Sequence, residues 1–258
     1  MNEIYTILLI GSIVFMTFTV EGISGFGSIV LALPFVIMLL GLESAIPLLC
    51  CMSVVWGIFI FLRSWKNVNW REYGFILCHA GLGLFIGSLM MDHLPRYLLL
   101  AILTGFMIFV GCRGLMVTLK APAAMPPPVQ KNKSLFMRCI LFGGGIMQGA
   151  FTSGGPLVVI YASRALTEKS SFRVTLCLLW LTLNSMMIIK WAVSGDVFTM
   201  HFLKMFFCIL PFSGAGIIFG DFMHRRINER NFRLLVYSVL IGAAVMLGIN
   251  QLLKFFSE

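Results

Sequence analysis

The 258 residues are 59% hydrophobic and only 11% charged, against about a quarter charged in a soluble domain, which excludes a soluble chain and points to an all-α integral membrane protein. Nineteen Lys and Arg against ten Asp and Glu leave a net charge of +9; membrane proteins gather such charge in cytoplasmic loops, so no nucleic-acid partner is implied. Seven cysteines without Cys-x-x-Cys spacing leave neither a disulfide frame nor a zinc site.

The chain opens on Asn2 and Glu3 where a signal peptide carries basic residues, and no small-x-small site follows, so the N-terminus is expected to stay. Ile4 to Leu42 holds one charge, Glu21, in 39 residues. One continuous helix of that length would reach about 58 Å, far more than one crossing needs. The run is interrupted at Glu21-Gly22-Ile23-Ser24-Gly25-Phe26-Gly27-Ser28. Backbone N–H groups freed in lipid have no water to bond, so a break survives only where it lines a cavity or is buried in protein.

Three stretches of about the spanning length come next: Glu43 to Leu62, Tyr73 to Met91 and Tyr97 to Leu119. Lys120 to Ser134 is Pro-rich and basic and reads as a linker. Cys139 to Ser163 carries a second break, Gln148-Gly149-Ala150-Phe151-Thr152-Ser153-Gly154-Gly155-Pro156, with arms too short for two spans. Three more spans close the chain: Val174 to Gly195, His201 to Gly220 and Leu234 to Leu253. A helical hairpin that dips to the midplane and returns fits both broken regions.

Charge tests this topology. With the second broken region returning to its starting side, the loops sort fifteen Lys and Arg to four; with a single crossing they sort eleven to eight. The positive-inside rule prefers the first and puts both termini outside the cytoplasm. The expected fold is two inverted repeats, 1–119 and 135–258, joined by a cytoplasmic linker, 120–134. Each is a broken, re-entrant hairpin plus three transmembrane helices, about eight membrane segments counted conventionally. Glu21-Gly22 matches Gln148-Gly149 at an offset of 127, and Gly83-x-x-x-Gly87 matches Gly216-x-x-x-Gly220 at 133. The latter spacing is also that of plain close packing between helices in lipid.

Inverted repeats with paired broken helices mark a transporter's binding site. The second arm of each hairpin presents a helix N-terminus, with about half a positive charge and unpaired N–H donors, to the membrane interior. Gly25, Gly27, Gly154 and Gly155 let the backbone approach an oxyanion, and Ser24, Ser28, Thr152 and Ser153 add hydroxyls. Gln148 and Asn184 are polar within spans, and line a pathway or merely join helices. Arg173 opens a cytoplasmic helix end, where it steers anions inward or serves as an ordinary positive-inside residue. Glu21, the one acid deep in an apolar segment, reads as a proton carrier or as a permanently protonated hydrogen-bond donor; its counterpart Gln148 cannot titrate. Two rivals stand beside this reading: a passive anion channel, and an intramembrane serine protease built on Gly22-x-Ser24-Gly25 with Ser24 and His79 as nucleophile and base.

Gly25-Phe26-Gly27 with Pro34, Ser153-Gly154-Gly155 with Pro156, the loop Asn67-Val68-Asn69-Trp70-Arg71, its weaker counterpart Gly195-Asp196-Val197, and Phe172-Arg173-Val174-Thr175-Leu176 together resemble the sulfite exporter TauE/SafE family over nearly the whole chain. Neither break keeps that family's run of three glycines; Gly143-Gly144-Gly145 does, but earlier in its hairpin. The resemblance implies a non-enzymatic transporter of the cell (inner) membrane that moves sulfite, sulfoacetate, other organosulfonates or carboxylates. No phosphate-binding Gly-x-x-x-x-Gly-Lys-Ser/Thr is present, so the expected drive is a proton or substrate gradient, with no cofactor, metal or catalytic residue, and the expected mechanism is alternating access.

Overall fold

The computed structural model describes residues 3–120, 134–166, 168–195, 197–223 and 229–257. Within them there are ten α-helices and no strand. Helices α1 (Glu3–Ser24) and α2 (Ser28–Leu40) flank the first break, and α3 (Leu42–Ser64), α4 (Trp70–His93) and α5 (Arg96–Lys120) follow. Helices α6 (Leu135–Phe151) and α7 (Gly155–Ala165) flank the second break, before α8 (Lys169–Ser194), α9 (Met200–Met223) and α10 (Glu229–Ser257). The Pro-rich linker at 121–133, Asp196, Arg225 and Arg226 lie outside the described residues.

The six stretches expected to span are α3, α4, α5, α8, α9 and α10. A seventh helix, α1, is also long and apolar enough to cross, whereas α2 and α6 are apolar but shorter and α7 has only 11 residues. The first broken region therefore pairs a full-length arm with a short one. Both breaks form where the residue types demand. Gly25 (φ 79°) and Gly27 (φ 101°) take the left-handed conformation that glycine adopts without penalty. Thr152 takes it as a non-glycine at φ 49°, and Pro156, lacking an N–H, sits in the first turn of α7, where none is needed.

Two seams of small residues hold the bundle together. On α4, Gly83 and Gly87 face the backbone of Phe142 and Ile146 on α6, while Gly145 and Gly149 face the carbonyls of Ala80 and Leu84. A Cβ at any of the four would run into main chain, so these backbones touch directly. The same arrangement recurs where α1 meets α9: Gly216 and Gly220 face the carbonyls of Phe15 and Thr19, and Gly22 faces that of Ile217. Both small-x-x-x-small pairs thus serve close helix approach, which in lipid substitutes for the missing hydrophobic drive.

In both seams the residue numbers rise together, so α1 runs with α9 and α4 runs with α6. Helix α4 also runs with α8, through Asn69 on Thr175, Tyr73 on Thr182 and Ser88 on Lys190. Helices α8 and α9 are opposed, because Arg173 near the start of one pairs with Asp221 near the end of the other. Following these relations, α1 points opposite to α6. Beside the two seams, α3 packs against α8 and α5 against α10, both antiparallel: Cys50 and Ser53 meet Asn184 while Gly57 meets Leu181, and Gly111 meets Ile241 while Gly248 meets Thr104. Exchanging α1–α5 for α6–α10 maps each of these four pairings onto itself or onto another of them.

At the end of the bundle away from Arg173, Lys190 Nζ bonds Asp92 (2.6 Å) and the Ser88 carbonyl (3.1 Å). Both side chains of this pair are about a third or more exposed, and such pairs contribute about 1 kcal/mol or less. Asp92→Asn is expected to lower the thermal unfolding midpoint by no more than about 4 °C. A larger drop, read in a thermal melt of the purified protein, would show a stronger clamp than this geometry supports.

Candidate functional site

Helix α1 ends in a turn where Gly25 N–H still bonds the Glu21 carbonyl (2.7 Å). Gly27 then caps α2, and the reversal brings Ser28 back onto Glu21, whose carboxylate accepts the Ser28 hydroxyl. Glu21 is only 5% exposed. Helix α6 ends similarly, with Thr152 N–H on the Gln148 carbonyl (2.8 Å). The Gln148 side chain is fixed at both ends: its Oε1 accepts from Gly154 N–H (2.9 Å) and its Nε2 donates to Asn184 Oδ1 (2.6 Å). Asn184 in turn donates to Ser53 Oγ (3.3 Å).

These two ends close on one buried cavity of about 30 Å³, lined from the first half by Glu21, Phe26, Gly27, Ser28, Ile29, Val30 and Ser53, and from the second by Gln148, Thr152, Gly155, Trp180 and Asn184. That is room for one or two waters, so an anion the size of sulfite enters only if the walls part. Neither α2 nor α7 has a side-chain acceptor at its cap. The first-turn N–H groups of α2 consequently lack a capping side chain, and in α7, where Gln148 holds Gly154 N–H and Pro156 has none, those of Gly155 and Leu157 lack one too. The cavity's polar lining comprises the hydroxyls of Ser28, Ser53 and Thr152, the Gln148 and Asn184 amides and the Trp180 indole, with Ser28 donating to Glu21 and Thr152 to the Phe151 carbonyl (2.8 Å). Glu21 is the one carboxylate in the lining.

Of the residues singled out from sequence, Glu21, Gly27, Ser28, Gln148, Thr152 and Gly155 line the cavity. Ser24 does not: its hydroxyl bonds the carbonyls of Val20 (2.8 Å) and Phe26 (2.7 Å), closing the end of its own helix. Gly154 is spent on Gln148, and Ser153, though buried, has an unpartnered hydroxyl outside the lining. Gly25 packs on the Arg173 side chain. Arg173 itself is held by Asp221 at 2.7 Å and is not in the lining. The residues missed are Phe26, Ser53 and Trp180; only a stripe at helical spacing with Asn184, one turn beyond Trp180, could have pointed to the last.

Gly22 and Gly25 reach Asp221 and Arg173, whereas Gly149 reaches Ser88. Each first arm stays helical along its seam with α9 or α4, and the cavity lies between the two turns. The Ser24/His79 dyad is not formed: His79 Nδ1 donates to the Phe75 carbonyl of its own helix (2.9 Å) and its ring packs at a tilt on that of Phe75, with centroids 4.5 Å apart. No cluster of three potential metal ligands occurs among the described residues.

The family model "Sulfite exporter TauE/SafE" matches residues 9–247. The chain is also 24% identical over 184 residues, 71% of its own length and 74% of the other's, to the probable inner membrane transporter protein TsaS of Comamonas testosteroni. No solved structure matches.

Proposed function

This chain belongs to the sulfite exporter TauE/SafE family of membrane transporters, and from that premise we propose that it is a proton-coupled secondary transporter of small sulfur oxyanions. The observation that carries the reading is the convergence of two uncapped helix N-termini, one from each half, on a single buried cavity that also holds a carboxylic acid. Helix N-termini hold anions without a buried Lys or Arg, and the lining has neither. The opposed directions of α1 and α6 and the exchangeable helix pairings support two inverted repeats, 1–119 and 135–258, joined at 120–134. Such repeats rock about a fixed central site to expose it alternately to each side.

In this reading the anion sits between Ser28 and Gly155, with Gly27, Thr152 and Gln148 around it. Glu21 carries the proton, and Arg173 steers anions inward. The ends bearing Arg63, Arg71, Arg138, Arg164 and Arg173 face the cytoplasm. Both termini then lie outside, in a bacterial inner membrane like that named for the Comamonas relative. The direction of transport follows the prevailing gradients, so sulfite, sulfoacetate, related sulfonates and small carboxylates are all admissible cargo by chemistry. The test is uptake of labelled sulfite into proteoliposomes, with sulfonates and carboxylates as competitors. Saturable uptake that competitors suppress supports the assignment; linear, unsaturable flux with single-channel conductance steps would replace it with a channel.

A further inference from the structure

Trp180 sits on α8 between Cys177 and Asn184, one turn from each, and the three share one face of the helix. Asn184 is tied to Gln148 and Ser53 at one wall of the cavity. Trp180 is 7% exposed and lines the cavity, yet its indole N–H is buried with no hydrogen-bond partner. Indole N–H groups almost always find a partner when buried, and a buried donor left unmade is costly. The ring edge next to that nitrogen faces the N-terminus of α7: a Cβ on Gly155 would lie 3.8 Å from Trp180 Cζ2 and 3.9 Å from Phe26 Cδ2. The lone donor therefore lies beside one of the two helix N-termini, its nitrogen covered by protein atoms while the cavity stays this small.

We propose that the Trp180 indole N–H is a direct donor to the transported anion and selects for a compact oxyanion. This rests on the transporter reading given above. The helix N-termini supply charge of the right sign, which serves any small anion. An indole N–H fixed in direction adds a bond that an oxyanion satisfies through one oxygen while its other oxygens meet the termini of α2 and α7. A spherical halide accepts several hydrogen bonds only from donors that converge on its one centre, whereas an oxyanion meets donors spread over its several oxygens. The corresponding place in the first half, by the register that matches Ser53 with Asn184, is Leu49, which offers no donor. The site is thus two-fold in its helix ends and single in its indole.

The test uses the full-length protein, labelled with [15N]tryptophan, in nanodiscs. Its five tryptophans give distinct indole resonances, and Trp180→Phe identifies one by its loss. Sodium sulfite is expected to shift that resonance downfield in a saturable way, and sodium chloride at equal ionic strength is expected to leave it in place. In proteoliposomes Trp180→Phe should raise the KM for sulfite about ten- to a hundred-fold, the worth of a hydrogen bond to a charged group. It should also narrow the preference for sulfite over chloride. Sulfite transport by the wild type with an unmoved Trp180 resonance overturns the role of Trp180 and leaves the transporter standing. Absence of both transport and shift in the wild type overturns sulfite as the cargo, and this inference with it.

Discussion

Glu21→Gln is expected to abolish the response of sulfite uptake to a pH gradient while leaving sulfite binding intact. Glu21 faces Ser28 from α2, and Arg173 and Cys177 from α8. Arg173 is engaged with Asp221, so the carboxyl has one hydroxyl donor and no ion-pair partner of its own. Were Glu21 ionised with an anion 4 Å away, their repulsion would be about 4 kcal/mol at an effective dielectric of 20, close to a thousand-fold in affinity. Carrying the charge alone within the bilayer adds about 2.5–3.5 kcal/mol on insertion scales. The anion and a proton on Glu21 therefore favour each other's presence, which is the thermodynamic content of coupling. Glutamine copies the protonated shape and keeps the cavity ready for an anion at any pH. Acidifying the outside of proteoliposomes should accelerate uptake by the wild type several-fold and leave Glu21→Gln unchanged. A variant that still follows the gradient would remove Glu21 from the coupling step.

Alanine at Gly145 or Gly149 is expected to lower the melting temperature markedly in mild detergent, although the change is a single methyl group. At both positions the new Cβ would overlap a main-chain carbonyl of α4, from Ala80 or Leu84, and neither backbone can swing aside as a side-chain tip would. The helices must part along the seam, giving up the close contacts that hold them in lipid. Overpacking of this kind costs about 1–3 kcal/mol and sometimes more, a large share of a typical total stability of about 5–15 kcal/mol. Gly81 supplies the control. It lies on α4 next to Ala80 but turned off the seam, and a Cβ there meets nothing within 4 Å. Gly81→Ala should be neutral or stabilising by up to about 1 kcal/mol, since alanine is the better helix former. Monodisperse elution of all three variants with unchanged melting would show that the seams are not as tight as drawn.

Much of this architecture was legible because lipid leaves so few options. Uninterrupted runs of apolar residues near the spanning length had to be helices, and those six are α3, α4, α5, α8, α9 and α10. Glycines clustered with hydroxyl residues in the two broken runs mark turns, at Gly25–Gly27 and at Thr152–Gly155, whereas glycines spaced along the other runs stay helical. Hydropathy was silent on how deep each turn lies. That depth is set by partners on the far half of the chain: α1 stays helical through Ser24 because Gly22 has Gly220 to pack on. Orientation around the helix axis was lost for the same reason. Ser24 and Ser28 look equivalent beside a break, yet one faces its own helix end and the other faces Glu21. Phe26 and Trp180 were missed because an aromatic residue in a span is ordinary, and only an unpaired N–H set Trp180 apart.

The seams also set a clock on biosynthesis. Gly22 belongs against Gly220, and Gly83 and Gly87 belong against the Phe142 to Ala150 stretch, so neither α1 nor α4 has its seam partner when it leaves the ribosome. At about 5–20 residues per second, α1 waits on the order of ten to forty seconds for α9. During that interval its bare small-residue stripe lies open to lipid and to other nascent chains. A product truncated before α9 would keep that stripe permanently uncovered, which makes it a ready target for membrane proteases and quality-control chaperones.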